Sequence, residues 1–133
     1  MGRTKQKVTV NDFAAAVSDI LKKCNEQVGY VTTEALIDTA NESRRVLRSI
    51  APKNKGKYQR GFKWKLERYS GGGKVVHVWN GGSHASLAHL LENGHATRNG
   101  GFVAGQPHFE PVNTSAQKLI LANFKKKWDK VQI

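Results

Sequence analysis

The amino-acid sequence predicts an α+β fold, in which a long N-terminal helix and a C-terminal helix pack on a small antiparallel β-sheet. Apolar residues recur every three or four positions from Phe13 to Ile50, which indicates one buried helical face. Stretch 61–69 alternates apolar and polar residues, and a second strand-like stretch, 74–81, follows a Gly-rich turn. Apolar residues step by four over 116–131, which predicts the final helix.

Two capping signals mark the start of the first helix. Thr9 and Asp12 form a capping-box-like pair, and Val8 and Phe13 have the spacing of a hydrophobic staple. The eight residues before this point are polar and basic. We therefore expect a flexible basic arm over 1–8, followed by a single α+β domain over 9–133.

The middle of this helix is weaker than its start. Gly29 and the β-branched residues after it lower the helix propensity, so the stretch predicts two consecutive helices or one helix kinked near Gly29. Pro52 is expected to end it. The heptad-like spacing also fits a coiled coil, but Thr39 and Ser43 dilute the stripe. A helix lying on its own sheet is the better interpretation.

The two alternating stretches predict an antiparallel hairpin with Ser70–Gly73 as its turn. On the first strand, apolar residues alternate with charged ones: Phe62, Trp64 and Leu66 against Lys63, Lys65 and Glu67. On the second strand, Val76 and Val78 share a face. Because a lone hairpin is not stable in water, we expect it to pack on the long helix and on further strands, such as those of neighbouring subunits.

The segment after the hairpin predicts a short helix, a loop and the last helix. Ser83 is placed to cap the short helix, and Gly94 is placed to end it. Residues 95–106 are Gly-rich and predict a long loop, a feature that is usually functional or disordered. Thr114 and Gln117 form a capping-box pair for the last helix.

The chain is strongly basic, with 22 Lys and Arg against 10 Asp and Glu and a net charge of +12. Between Arg44 and Lys74 there are eleven basic residues and one acid, Glu67. Such a patch attracts polyanions or an acidic protein surface, and the sequence does not say which. The candidate contact residues are Arg44, Arg45, Arg48, Lys53, Lys55, Lys57, Arg60, Lys63, Lys65 and Arg68.

Cysteine usage and hydropathy exclude several classes of protein. With one cysteine, Cys24, the chain can form no intrachain disulfide, which weakly favours a reducing origin. Cys24 lies on the apolar stripe of the first helix, where a small core residue is expected. No apolar run approaches the roughly 20 residues needed to span a bilayer, and we expect neither a signal peptide nor a membrane partner.

Catalytic and metal-binding constellations are weak. Four of the five histidines lie within 84–108, and His89, Glu92 and His95 could ligate zinc in principle. However, the glycine before His95 should turn the chain away, and the spacing is not that of a zinc helix. No Asp occurs over 39–128, so an orienting carboxylate for a nucleophilic triad is scarce. We expect no catalytic residues, no metal and no cofactor.

Nucleic-acid binding is the alternative function. Tyr58, Phe62, Trp64 and Tyr69 interleave with basic residues and could stack on bases. Strand alternation, however, places Phe62 and Trp64 on the face opposite Lys63, which favours core positions for the aromatic rings. A small basic DNA-binding accessory protein that contacts phosphates non-specifically therefore remains the second interpretation.

Three short motifs follow one another in a recognisable order: Ser-Ile-Ala-Pro at 49–52, Ala-His-Leu-Leu-Glu-Asn-Gly at 88–94 and Gln-Pro-His-Phe-Glu-Pro at 106–111. This arrangement resembles the small tail-component or neck proteins of long-tailed double-stranded DNA phages, also known as minor capsid or tail-completion proteins. Their pattern reads APxxTGxLrxSI, then HxxExG, then PFlxPA. The middle motif is close, whereas 58–62 stands in place of the usual Thr-Gly-Xaa-Leu.

The resemblance implies an α+β subunit that forms a homo-oligomeric ring at the head–tail junction or at the top of the tail. It implies no catalytic activity, and its partners would be other connector and tail proteins. The basic patch could contact genomic DNA non-specifically or, equally, face acidic partners in the connector. It places the protein in the virion, and in the host cytoplasm during assembly. The implied structural residues are His89, Glu92, Gly94, Pro107, Phe109 and Pro111. Among them, His89 and Glu92 would fix the short helix by hydrogen bonds, and the prolines would set a rigid turn.

Overall fold

A computed structural model describes residues 9–53 and 56–131 of the chain. The predicted arm 1–8, including Val8 of the predicted staple, lies outside these residues, as does Lys55. The α+β prediction is confirmed, since two long helices accompany two small antiparallel sheets. In chain order the elements are α1 (Val10–Ile50), β1 (Phe62–Arg68), β2 (Lys74–Asn80), α2 (Ala88–Asn93), β3 (Gly94–Ala96), β4 (Phe102–Ala104) and α3 (Phe109–Trp128).

The first element, α1, is a single unbroken helix of 41 residues, about 60 Å long at 1.5 Å per residue. The predicted capping box is confirmed, because the Asp12 N–H donates to Thr9 Oγ1 at 3.1 Å and the Thr9 N–H donates to Asp12 Oδ2 at 3.2 Å. Gly29 does not interrupt the helix. Its last turn closes with the Ala51 N–H on the Leu47 carbonyl, at 2.9 Å, directly before Pro52.

The body of the molecule forms around the second half of α1. There α3 runs antiparallel to it: Val112 packs in the same cluster as Leu47 at one end, and Asn123 Nδ2 donates to Thr39 Oγ1 at 3.1 Å further along. Beyond that point Lys127 Nζ lies 3.0 Å from Asp38 Oδ2. The prediction that α1 lies on its own fold therefore holds for the second half of the helix only.

The predicted first hairpin is confirmed, with β1 and β2 antiparallel in the register Phe62↔Asn80 to Arg68↔Lys74. Its apolar face turns toward α1, and two polar contacts fix it there. Trp64 Nε1 donates to Asn41 Oδ1 at 2.9 Å. Lys74 Nζ donates to the Gly29 carbonyl at 2.8 Å. The body consequently ends near Gly29, and α1 continues beyond it.

The predicted long loop over 95–106 is wrong. Strands β3 and β4 pair in the register Gly94↔Ala104, His95↔Val103 and Ala96↔Phe102. The Thr97 N–H donates to the Gly101 carbonyl at 2.8 Å and closes the turn between them. Strands of three residues are too short for a period of two to stand out from a Gly-rich background, which is why this hairpin escaped the sequence patterns.

Two predicted helix caps and one predicted core position are also wrong. Ser83 Oγ lies 3.0 Å from His84 Nδ1 and caps nothing. The helix α3 begins at Phe109, so Thr114 lies inside it, where its hydroxyl donates to the Glu110 carbonyl at 3.1 Å. Cys24 is half-buried and lies outside the core cluster, because its part of α1 projects beyond the body.

Candidate functional site

Glu92, in the last turn of α2, holds the start of α3. Its Oε2 accepts the backbone N–H groups of His108 at 2.7 Å and Phe109 at 3.0 Å, and its Oε1 accepts that of Glu110 at 3.0 Å. The next residue, Pro111, has no N–H. The first four N–H positions of a helix have no partner within it. One carboxylate from another helix and one proline therefore account for all four in α3.

The charge of Glu92 suits this position, since the N-terminal end of a helix attracts anions. Burial raises the pKa of its carboxyl, but the three backbone N–H donors and the neighbouring His108 ring outweigh burial and hold the pKa below its usual range. The carboxylate is thus ionised where it is needed. Helices α2 and α3 are joined by a charge-assisted clamp, which we call the Glu92 clamp.

The His108 ring continues the clamp into the core, where its exposed fraction is 0%. Its Nδ1 lies 2.9 Å from the Gln106 carbonyl oxygen and 2.9 Å from Glu92 Oε2. Its Nε2 lies 2.6 Å from the Tyr58 hydroxyl. Two oxygen acceptors at Nδ1 place a hydrogen on that nitrogen.

Tyr58 and the aromatic rings around His108 enclose the polar groups of Glu92 and His108. The rings of Phe62 and Phe109 lie 6.1 and 4.7 Å from the His108 ring, centroid to centroid. Burial, and then the charge of Glu92, raise the pKa of Tyr58 to about 12. Asn80 Nδ2 donates to the Tyr58 carbonyl at 2.6 Å. The first hairpin, the segment before it and the start of α3 therefore meet at one buried polar centre.

The row Tyr58–His108–Glu92 has the hydrogen-bond order of a hydroxyl, base and carboxylate triad. A triad of that kind works only if its hydroxyl reaches a substrate. Here Tyr58 is only 4% exposed and His108 is fully enclosed. Among the described residues, no group of three His, Cys, Asp or Glu side chains could hold a metal ion. What the network does in this structure is hold α2, α3 and the first hairpin together.

The structure places the six motif residues in different surroundings. Glu92 makes the contacts described above, and Gly94 ends α2 at a φ of +84°. Phe109 is half-buried against the core. Pro111 lies in the first turn of α3, and Pro107 is exposed just before it. The His89 side chain is exposed and forms no hydrogen bond with another described residue, whereas Glu92 does.

Sequence reasoning missed two members of the Tyr58–His108–Glu92 network. His108 lies inside the third motif, and its position before a helix start was a usable signal. Tyr58 lies 50 residues away from His108 in sequence, and no local pattern connects the two. Distant pairing of this kind is visible only in the folded chain.

The ten candidate polyanion residues do not form one compact cluster. Arg44, Arg45 and Arg48 lie near the end of α1, and Arg45 is held by Glu42 at 3.3 Å. Lys53, Lys57 and Arg60 are exposed in the connecting segment. Lys63 and Lys65 are exposed on the outer side of β1. Arg68 is exposed at the end of β1 on the other face, as the cross-strand partner of Lys74. Lys55 lies outside the described residues.

On the outer side of the first hairpin, aromatic rings from β2 do lie beside basic residues of β1. Trp79 is 39% exposed and is the cross-strand partner of Lys63. His77 is the partner of Lys65, and its Nε2 lies 2.8 Å from Glu67 Oε2. The hydrogen bond from His77, above all, holds the pKa of Glu67 below its usual range. This acid offsets part of the positive charge at one end of the face.

Within the described residues, no helix has both the length and the apolar character needed to cross a bilayer. No curated protein and no solved structure gave a match to the chain. The family model described as "Bacteriophage HK97-gp10, putative tail-component" matches residues 1–94. The matched span includes α1, the first hairpin and α2 with Glu92, and it ends at Gly94, before α3. Since this is well over half of its length, the chain belongs to the HK97-gp10-like family of phage tail-component proteins.

Proposed function

We propose that this tail component is a structural subunit of the phage neck or of the top of the tail. It forms a homo-oligomeric ring during tail completion or head–tail joining and performs no catalysis. Its partners are further copies of itself and other connector and tail proteins. Its place is the virion, after assembly in the host cytoplasm.

The observation that carries this proposal is the incomplete sheet structure. Both sheets of the described chain have only two strands, so every strand has one side without a partner strand. Such edges readily pair with another chain, and strand addition at an edge is a common way for proteins to bind one another. In a ring, each subunit can extend the sheet of the next.

The buried Tyr58–His108–Glu92 network supports a structural function. Its polar groups are occupied by one another and by the backbone of α3, and they are enclosed by aromatic rings. An enzyme keeps its reactive groups within reach of substrate. A subunit that must keep one shape in an assembly benefits instead from rigid joints between its elements.

Deletion of the gene from the phage tests the position in the virion. We expect separate DNA-filled heads and finished tails under the electron microscope, and we expect a plasmid copy to restore joined particles. Normal infectious particles from the deletion strain would refute the proposal.

Light scattering coupled to size-exclusion chromatography tests the ring. At high protein concentration, the chain should elute as one closed oligomer.

A second function, contact with the packaged DNA, is favoured by one observation. Lys63 and Trp79 lie side by side on the exposed face of the first hairpin, which combines a phosphate-binding charge with a ring that can stack or pack on a nucleotide. The test is titration with duplex DNA at two salt concentrations. We expect K63E/K65E to weaken binding and to reduce the salt slope by about 2, one for each lost phosphate contact.

The matched control is K125E/K126E, which changes the net charge by the same amount on exposed residues at the end of α3. If both double variants weaken binding equally, the attraction comes from the overall charge and not from the hairpin. If the unmodified chain fails to bind at low salt, this second function is excluded.

A further inference from the structure

The first half of α1 carries an apolar stripe that none of the chain's described residues covers. Phe13 is 65% exposed, Ile20 58% and Leu21 59%, and Val17 and Val28 are also exposed. At 3.6 residues per turn these side chains share a band about 100° wide. The same band continues into Val31 and Ala35, which are buried in the body. The stripe is thus the uncovered continuation of a packed helix face.

A helix of this kind needs a partner. Residues 10–28 extend for about 28 Å, and most of them are exposed. The helical state of such a segment depends mostly on burial of its apolar face. The band has the width that normally faces a core. Its length and continuity argue that it is an interface and not a chance group of surface residues.

The body of the same chain carries an unfilled trough of about 1020 Å³. Its floor is the second half of α1, with the small side chains of Ala40 and Ser43, and its walls are β2 and α3, with Val76, Ala116 and Ile120. Small floor residues let another helix approach closely. The stripe and the trough are centred about 30 Å apart along one continuous helix, so a chain cannot place its own stripe in its own trough.

We propose that the apolar stripe of α1 docks in the trough of a second copy of this chain, head to tail. This deepens the proposed ring and rests on it. Contacts between two different surfaces of identical subunits generate closed rings or open filaments, whereas pairing of a surface with itself stops at a dimer. A stripe–trough contact is therefore the kind of contact that a ring requires.

Charge and area both favour this occupant. Residues 9–30 carry three acids and two lysines, for a net charge of −1, whereas the rest of the chain carries all of the positive excess. Stripe against stripe would bring two slightly acidic segments together, but stripe against trough brings an acidic segment to a basic body. One side of the projecting helix offers on the order of 600 Å², close to the roughly 800 Å² that each partner contributes to a standard interface.

The test is the oligomeric state of the full chain and of two variants, each with one substitution at an exposed residue, measured by light scattering. Ile20→Glu puts a charge in the stripe, and Gln117→Trp puts a bulky ring at the exposed rim of the trough. We expect each to weaken self-association by about 10- to 100-fold, the range expected for losing one buried large side chain. Mixing the two should restore a 1:1 dimer, because one supplies an intact trough and the other an intact stripe.

The matched controls are Ala15→Glu, on the opposite side of the same helix, and Leu121→Trp, exposed on α3 but outside the trough. Both should assemble like the unmodified chain, and circular dichroism checks that all variants fold. If Gln117→Trp assembles normally while Ile20→Glu does not, the stripe pairs with itself and the proposal is wrong. If Ile20→Glu forms the normal ring, the proposal is wrong and the ring stands. If the unmodified chain stays monomeric at every concentration, docking is also refuted. The deletion experiment then tests the neck function separately.

Discussion

Glu92 serves three backbone donors with two carboxylate oxygens, and no other side chain type would do this equally well. A glutamine offers one oxygen and turns an amide donor toward the remaining N–H groups. An aspartate is shorter by one methylene and would not reach as far from α2. The arrangement therefore depends on one charged group of the right length at the end of a short helix.

Replacing Glu92 by glutamine should lower the free energy of unfolding by roughly 1–3 kcal/mol, because at least one backbone N–H of α3 loses its acceptor in a half-buried place. Urea unfolding followed by circular dichroism measures the change. Glu110→Gln is the matched control, since Glu110 is exposed in the same turn of α3. Equal losses in the two variants would show that the effect comes from net charge and not from the clamp.

Stability should also depend on Glu92 through pH. In the unfolded chain its pKa is near 4.5, and in the folded chain it is lower. A carboxyl whose pKa is depressed by folding contributes its stabilisation above the unfolded pKa and loses it as the pH falls through the folded pKa. The difference between the unmodified chain and Glu92→Gln, measured by urea unfolding from about pH 7 to pH 3, should shrink in acid. A difference that stays constant over this range would contradict the clamp.

At the scale of elements, the second hairpin depends on close backbone contact at its base. Gly94 has a φ of +84°, and a Cβ at this position would lie 2.5 Å from the Val103 carbonyl oxygen and 2.7 Å from the Gly105 nitrogen. Gly105 approaches the end of α2 equally closely, since its Cβ would lie 2.5 Å from the Glu92 carbonyl oxygen. The two glycines let the base of the second hairpin lie directly against the end of α2.

Gly94→Ala should therefore destabilise the fold by roughly 2–4 kcal/mol, from the strained φ and the backbone clash together. Gly100→Ala is the control, because Gly100 has a similar φ of +79° with nothing within 4 Å of its Cβ, and it should cost about 1 kcal/mol. Thermal unfolding compares the two. Similar losses would mean that only the backbone angle matters and that the close approach is unimportant.

Elements whose signals lie within a few residues could be predicted from the sequence. The Thr9–Asp12 capping box, the end of α1 before Pro52 and the alternation of the first hairpin were predicted at the right positions. Each of them depends on neighbours along the chain. Local chemistry is therefore enough to locate them.

The start of α3 could not be predicted in the same way. Thr114 and Gln117 have the spacing of a capping box, but the helix begins five residues earlier than Thr114. The acceptor that makes this earlier start favourable is Glu92, which lies 16 residues from His108. A cap supplied from another helix has no sequence signature, so the local pair was mistaken for the true start. The same holds for the link from Tyr58 to His108.

At the scale of the whole molecule, the two halves of α1 lie in different surroundings, one packed in the body and one exposed. Its second half lies between the hairpin and α3, and residues 10–28 project from the body with their apolar band exposed. A pattern of apolar spacing cannot distinguish these halves, since the band is continuous through both. Sequence periodicity shows that a helix face will be buried, but whether the same chain or another one buries it depends on where the remaining elements end.

This difference predicts two levels of stability within one helix. In dilute solution, below the concentration at which copies associate, amides of 14–28 should exchange with deuterated water much faster than amides of 32–50. The reason is that an unpacked helix opens locally, whereas a packed one opens only with the body. Hydrogen exchange read by mass spectrometry on peptides from the two halves measures this, with the second half as the internal reference.

Raising the protein concentration should then slow exchange over 14–28 and leave 32–50 almost unchanged, because docking adds packing only where it was missing. Peptides from the trough walls, β2 and the start of α3, should gain protection together with the first half of α1. Ala15→Glu should behave like the unmodified chain, and Ile20→Glu should keep fast exchange at every concentration. Uniform protection along α1 in the dilute chain would mean that the first half is stable without any partner, and the physical reason for expecting a docking site there would be lost.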